Sequence, residues 1–79
     1  MFLHIYSLER KVYSRETASV NLKTISGEIT ILNNHRPLIA PLTKGQIRIT
    51  DVKGTEEIFD ATSGFVEVRP QGEVNILID

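Results

Sequence analysis

The chain contains no cysteine among its 79 residues. This absence excludes disulfide stapling, thiolate ligation of zinc and a cysteine nucleophile. A chain of this length forms one domain and buries only roughly 60% of the surface that its unfolded form exposes. We therefore expect a single domain over residues 1–79 whose stability depends on one hydrophobic core, helped by a partner if one is present.

The sequence also lacks an excess of either charge and has no long hydrophobic run. Nine lysine and arginine residues stand against ten aspartate and glutamate residues, for a net charge of −1. Nucleic-acid binding usually requires a clustered basic face, so this balance argues against it. No segment approaches the roughly 20 apolar residues that cross a bilayer. Residues 1–6 do not show the pattern of a signal peptide, and we expect a soluble cytoplasmic domain.

Helical periodicity is missing, whereas alternation of apolar and polar residues recurs along the whole chain. Glycine-containing turn signals separate the alternating segments at intervals of about 8 to 12 residues, as in sandwiches and barrels. The sequence therefore predicts an all-β fold, a β-sandwich of about ten strands in two sheets, with essentially no helix. The segments that read most clearly as strands are 3–7, 11–14, 19–23, 28–32, 38–42, 46–50, 66–69 and 74–78.

The same alternation predicts which side chains form the core. The expected inward residues are mostly isoleucine and valine, which suit the surface of a sheet. They are Leu3, Ile5, Val20, Leu22, Ile29, Ile31, Leu38, Ile47, Ile49, Ile58, Val66, Val68, Val74, Ile76 and Ile78.

Residues 26–38 are the most informative stretch, because they join a short alternating strand to a polar turn. Asn33 and Asn34 tolerate left-handed backbone and bond to their own main chain. Pro37 then biases the residue before it toward extended geometry, so the chain leaves the turn as strand or loop. The turn presents a histidine and an arginine at the surface, which favours a docking function over catalysis.

Catalytic and metal-binding alternatives are weaker. His4 and His35 are the only histidines, and no serine lies in a nucleophile-elbow pattern. An acidic cluster of Glu56, Glu57 and Asp60 lacks the glycine-bearing loop of a calcium site and reads as a solvated strand edge. The histidines with Asp60 do not form a zinc motif, and no glycine-rich phosphate loop is present. We expect no catalytic, cofactor-binding or metal-binding residues.

Several motifs in register resemble the N-terminal β-sandwich domain of the epsilon subunit of F-type ATP synthases. Residues 12–14 (Val-Tyr-Ser), 27–32 (Gly-Glu-Ile-Thr-Ile-Leu) and 34–38 (Asn-His-Arg-Pro-Leu) match the family's motifs in order and spacing. Residues 42–49, 63–68 and 74–79 continue the match, so the resemblance covers the whole chain. The chain departs from the family pattern at four positions, where Thr30, Asn33, Arg36 and Ser63 replace a glycine, a proline, an alanine and a glycine.

The resemblance implies a non-catalytic subunit of the rotating central stalk that docks the gamma subunit to the c-ring. Such a subunit helps couple proton or sodium flow to ATP synthesis, on the cytoplasmic side of the bacterial inner membrane and without inserting into it. By resemblance, Glu28 faces the polar loops of the c-ring and the turn around His35 lies near gamma. The expected partner-contact residues are Glu28, Thr30, Asn33, Asn34, His35 and Arg36.

The family usually continues into a C-terminal helical hairpin that can restrain ATP hydrolysis, and no such hairpin occurs in these 79 residues. We therefore expect neither an autoinhibitory arm nor the nucleotide site that the hairpin can form. Two other functions remain open at this point. One is a stand-alone β-sandwich module with an unrelated partner, and the other is a small enzyme that uses His35 with Asp60.

Overall fold

A computed structural model describes residues 1–8 and 10–79, and these residues form eight strands. The strands are β1 (Phe2–Tyr6), β2 (Lys11–Thr24), β3 (Gly27–Ile31), β4 (Leu38–Leu42), β5 (Gly45–Asp51), β6 (Glu56–Ala61), β7 (Gly64–Val68) and β8 (Glu73–Ile78). The described residues contain no helix, and so none that is long and apolar enough to span a membrane. The expectation of an all-β domain with essentially no helix is confirmed.

The strands form one continuous hydrogen-bonded sheet, in the order β1-β8-β7-β4-β2-β5-β6, with β3 paired to β2. The sheet closes on itself because β2 also pairs with β1, and among the strand pairs of the described residues only β1–β8 is parallel. With 14 residues, β2 is long enough to contact β1 through its first half and β3, β4 and β5 through its second half. The described residues form eight strands where the sequence predicts about ten, and the strand pairings join them in one sheet where it predicts two.

The sequence predicts two separate strands, 11–14 and 19–23, where the structure has the single strand β2. The reason is that the alternation of apolar and polar residues is interrupted in the middle of β2. The pairing of β2 with β5 shifts register between Thr17 and Ser19, so Ala18 is an extra residue in the strand. Such a bulge reverses the inward and outward pattern on its two sides. Thr17 consequently points inward, where it is buried and its hydroxyl donates to the carbonyl oxygen of Met1. Because Thr17 is polar and follows two charged residues, the sequence pattern did not predict that this part of the chain is a strand with Thr17 facing inward.

The core lies inside the closed sheet, between the two layers that face each other across it, and consists of the residues that alternation selects, with few exceptions. Eleven of the predicted inward residues are buried, and Ile29, Leu38 and Ile78 are half-buried and pack against them. The prediction that Ile58 points inward is wrong, because this residue is 46% exposed while its neighbour Phe59 packs against the core. The prediction missed four buried apolar side chains, which are Met1, Tyr13, Leu42 and Ala61.

The turn between β5 and β6 is organised by the carboxylate of Asp51, which accepts hydrogen bonds from the backbone N–H groups of Lys53 and Thr55, both at 2.9 Å. The Thr55 bond is the main reason that the pKa of Asp51 lies below its ordinary value, and the Lys53 and Gly54 amides lower it further. Hydrogen bonds to a carboxylate favour the ionised form.

This arrangement predicts a pH dependence of stability that Asp51→Asn removes. A carboxylate whose pKa is lower in the folded state stabilises the fold above its unfolded pKa, and that contribution is lost as the pH falls through the folded value. We expect the urea midpoint of the parent chain to fall more between pH 5.5 and pH 3 than that of the variant. If the urea midpoints of the two proteins fell equally with pH, the stability of the turn would not depend on the charge of Asp51.

Candidate docking surface

Two of the predicted contact residues, Glu28 and Thr30, lie on the outward face of β3. Both side chains are exposed, whereas Ile29 and Ile31, which alternate with them along the strand, turn toward the core. On β2, Lys23 is opposite Glu28 and Asn21 is opposite Thr30. The Asn21 side-chain amide donates to the Thr30 hydroxyl at 2.9 Å. The strand predicted from the alternation is therefore present, and its outer face is polar.

The other four predicted contact residues form the turn that follows β3. The backbone N–H of His35 donates to the carbonyl oxygen of Leu32 at 3.2 Å, which closes the turn. Asn34 has a φ of 66°, the left-handed conformation that asparagine tolerates and that the sequence predicts for this pair. The His35 ring is half-buried and its Nδ1 donates to the carbonyl oxygen of Arg36 at 2.8 Å, while Arg36 itself is exposed.

Asn33 is engaged within the molecule. Its side-chain carbonyl oxygen accepts a hydrogen bond from the α-amino group of Met1 at 2.7 Å. The same amino group donates to a carboxylate oxygen of Glu16 at 2.8 Å and to the Thr17 carbonyl oxygen at 3.1 Å. Three acceptors thus satisfy the three N–H bonds of an ammonium group. The contact fastens the turn after β3 to the middle of β2 and fixes the direction in which the turn projects.

The six residues are spread along β3 and the turn that follows it. Glu28 and Thr30 lie on the strand, which ends at Ile31, and Asn33 to Arg36 come after it. Within residues 1–8 and 10–79, no group of three or more histidine, aspartate or glutamate side chains is placed to hold a metal ion. A mostly exposed strip of polar side chains along a strand and its following turn is suited to contact with another macromolecule.

The structure also shows an apolar strip that the sequence reading did not identify. Phe65 on β7 lies opposite Pro41 of β4 on one side and Leu77 of β8 on the other, and Ile39 shares their outward face. Phe65 and Leu77 are each 54% exposed and Ile39 is 72% exposed. The signal was available, because these residues alternate along their strands with inward residues that are themselves apolar. Contiguous exposed apolar side chains are typical of a surface that another protein covers.

The second histidine, His4, links three strands on the outer face of β1. Its Nδ1 is 2.9 Å from the hydroxyl of Ser14, and its Nε2 is 3.4 Å from a carboxylate oxygen of Glu73. The rings of Phe2 and Tyr6 flank it, with centroids 4.9 and 5.9 Å away. The contacts connect β1 to both β2 and β8, so His4 supports the seam where the sheet closes.

Comparison with known proteins identifies the family. The family model for the β-sandwich domain of the ATP synthase delta/epsilon chain matches residues 1–79. The chain belongs to this family. The resemblance found in the motifs is thereby confirmed, and it extends over every residue of the sequence.

Curated relatives of this delta/epsilon domain include two bacterial ATP synthase epsilon chains. The protein of Halalkalibacterium halodurans is 40% identical over 80 residues, a match that covers 100% of this chain and 58% of the relative. The protein of Dichelobacter nodosus is 39% identical over 77 residues, covering 98% of this chain and 53% of the relative. The chain therefore spans somewhat more than half the length of these relatives.

Two solved structures share the fold of this delta/epsilon domain. A chain of the Euglena gracilis mitochondrial ATP synthase, described as OSCP/F1/c-ring in rotational state 1, superposes with a TM-score of 0.91 at 22% identity. The match covers 96% of this chain and 48% of that one. A chain of the Tetrahymena thermophila mitochondrial ATP synthase, described as central stalk/c-ring, superposes with a TM-score of 0.81 at 20% identity. This match covers 99% of this chain and 62% of that one.

Proposed function

We propose that this domain is a non-catalytic part of the central stalk of an F-type ATP synthase. It docks the gamma subunit to the c-ring and helps couple ion flow to ATP synthesis. The observation that carries the proposal is the match of the delta/epsilon family model to the full 79 residues, together with relatives named ATP synthase epsilon chain. The complex holds the domain at the cytoplasmic side of the bacterial inner membrane, without insertion of the domain itself.

The closed sheet suits a mechanical function. The strand β2 pairs with four other strands, so a force applied at one edge reaches both layers through backbone hydrogen bonds. The side chains between the layers are fully buried at Leu3, Val20, Ile49 and Ile76. Close-packed interiors have low compressibility and transmit strain. A domain of this kind can pass torque between a shaft and a ring with little deformation.

The strip along β3 and its turn supplies contacts of two kinds. Glu28 and Thr30 present an exposed carboxylate and a hydroxyl to the polar loops of the c-ring. His35 and Arg36, with the asparagines before them, contact gamma at the other end of the strip. Arginine is enriched at protein interfaces, and Arg36 is exposed on the turn. The bond between Asn33 and Met1 holds this turn in place before the partner arrives.

The double variant Glu28→Ala/His35→Ala is expected to weaken assembly with gamma and the c-ring while leaving the isolated domain folded. Glu28 is exposed, and His35 is half-buried with its ring bonded only to the neighbouring main-chain carbonyl. Substitutions at such surface positions usually change stability by within about 0.5 kcal/mol each. The measurement is co-purification of the tagged domain with gamma and c subunits, beside a urea unfolding curve of the domain alone.

The matched control is Lys53→Ala/Asp60→Ala, which removes one exposed cation and one exposed acid from the β5–β6 hairpin. The partners should retain this variant to the same extent as they retain the parent chain. A large stability loss in the Glu28/His35 variant would instead make those residues structural. If the folded parent chain retains neither gamma nor c, the stalk function is wrong and an unrelated partner becomes the better hypothesis.

A further inference from the structure

The α-amino group of Met1 donates to three oxygen atoms that two different parts of the chain supply. Two of them, on Glu16 and Thr17, belong to β2, and the third is the side-chain oxygen of Asn33 in the turn after β3. We call these three acceptors the ammonium site. Their distances from the nitrogen are 2.8, 3.1 and 2.7 Å. The ammonium group has three N–H donors, so the site matches a free α-amino group one donor to one acceptor.

The rest of Met1 is held in place independently of its nitrogen. Its side chain is buried and belongs to the hydrophobic core. Its carbonyl oxygen accepts hydrogen bonds from Thr17, one from the backbone N–H at 2.8 Å and one from the hydroxyl at 3.3 Å. The N–H of the next residue, Phe2, donates to the carbonyl oxygen of Gly72 at 2.9 Å. Met1 therefore cannot move aside to make room for a group attached to its nitrogen without breaking some of these contacts.

The ammonium site depends on the positive charge of the nitrogen as well as on its N–H groups. Among the ion pairs of residues 1–8 and 10–79, Glu16 takes part only in the one with the α-amino group. An acyl group on the nitrogen removes that charge and leaves a single N–H, so two of the three acceptors lose their donor. Thr17 is 1% exposed, so water does not readily replace the donor to its carbonyl oxygen. A buried acceptor left without a donor is destabilising.

We propose that the ammonium site recognises the free α-amino group of Met1, and that the acylation state of this nitrogen controls the stability of the domain. A formyl group is the smallest acyl group that would abolish the contact, and its hydrolysis restores the site. In that step the C–N bond breaks, the water oxygen joins the formyl carbon, formate leaves and the nitrogen takes both water protons to become an ammonium group. Because Asn33 belongs to the turn after β3, removal of the acyl group also fixes that turn. All of these contacts lie within the chain, so the site needs neither gamma nor the c-ring.

Urea unfolding of the full chain, prepared with a free, an N-formylated or an N-methylated Met1, tests the proposal. Formyl and methyl groups each add one carbon to the nitrogen, but the methylated form keeps the positive charge and two N–H donors. We expect formylation to lower the folding equilibrium constant at neutral pH by about tenfold or more, because hydrogen bonds to a charged group are lost. Methylation should lower it clearly less. Equal constants for the free and formylated chains, or equal losses for the two modified chains, would overturn the proposal.

A pair of asparagine variants shows whether the loss arises at the ammonium site. Asn33→Ala removes one of the three acceptors, so formylation should cost this variant less than it costs the parent chain. The matched control is Asn21→Ala, which removes a single side-chain hydrogen bond to Thr30 and leaves the ammonium site intact, so the full cost of formylation should remain. An undiminished cost in Asn33→Ala would contradict the proposal. If the formylated parent chain does not fold, treatment with a peptide deformylase should restore its native circular dichroism, and release of formate without refolding would overturn the proposal.

Discussion

Gly64→Ala is expected to destabilise the domain by about 4 kcal/mol or more, a loss large enough to be diagnostic of a steric failure. Gly64 begins β7 with a φ of 149°, which side chains rarely adopt. A Cβ at this position would stand 1.9 Å from the carbonyl oxygen of Leu77 and 3.1 Å from the Cα of Ile78. Both obstacles are backbone atoms of the neighbouring strand, so no side-chain rotation relieves the clash. A domain of this size has only roughly 5–10 kcal/mol of stability to lose.

The control for this variant is Gly72→Ala. Gly72 also has a positive φ, at 77°, but a Cβ there would meet nothing within 4 Å. This substitution should therefore show only the conformational cost of a left-handed residue, about 1–2 kcal/mol. Urea unfolding of both variants makes the comparison. Equal losses would mean that strand β8 can move away from β7 and that close packing at Gly64 is not required.

Ile49→Ala should cost about 2–5 kcal/mol, the usual range for removing a large aliphatic side chain from a core. Ile49 lies on β5 and is 0% exposed. It packs among the buried residues that join the two layers, where its loss leaves a cavity because close-packed neighbours relax only in part. The measurement is the free energy of unfolding from urea titration at neutral pH.

Ile58→Ala on the paired strand β6 is the matched control, because the substitution is identical and Ile58 is 46% exposed. We expect this variant to lose less than half as much stability as Ile49→Ala. Similar losses would show that Ile58 is covered in solution, and the original sequence prediction for that residue would regain support.

The pair also illustrates where sequence reasoning succeeded and where it failed. Ile49 lies in a clean alternation within β5, and the period of two placed it in the core correctly. In β6, Ile58 and Phe59 are adjacent apolar residues, so the period alone does not choose between them. The structure turns Phe59 inward, where its ring packs edge-on against the ring of Tyr13 with centroids 5.7 Å apart. That choice depends on a residue 46 positions earlier in the chain, which no local pattern contains.

Some features of the candidate site could likewise be predicted from the sequence, and others could not. Exposure of Glu28 and Thr30 follows from alternation, and the left-handed Asn34 follows from the chemistry of its side chain. The sequence does not show that Asn33 bonds to Met1, because that contact joins residues 32 positions apart. Nor does it show that Pro41, Phe65 and Leu77 adjoin, since three separate strands contribute them.

By itself, the sequence determined the all-β class, most of the core, the polar turn after β3 and the family to which the chain belongs. These properties depend on local periodicity, on the conformational preferences of single residues and on the order of short motifs. Only the tertiary structure decided that one 14-residue strand closes a single sheet, that Gly64 must remain free of a side chain and that three acceptors hold the α-amino group of Met1. Those properties depend on which distant strands become neighbours, and pairing between strands is a relation that no single segment encodes.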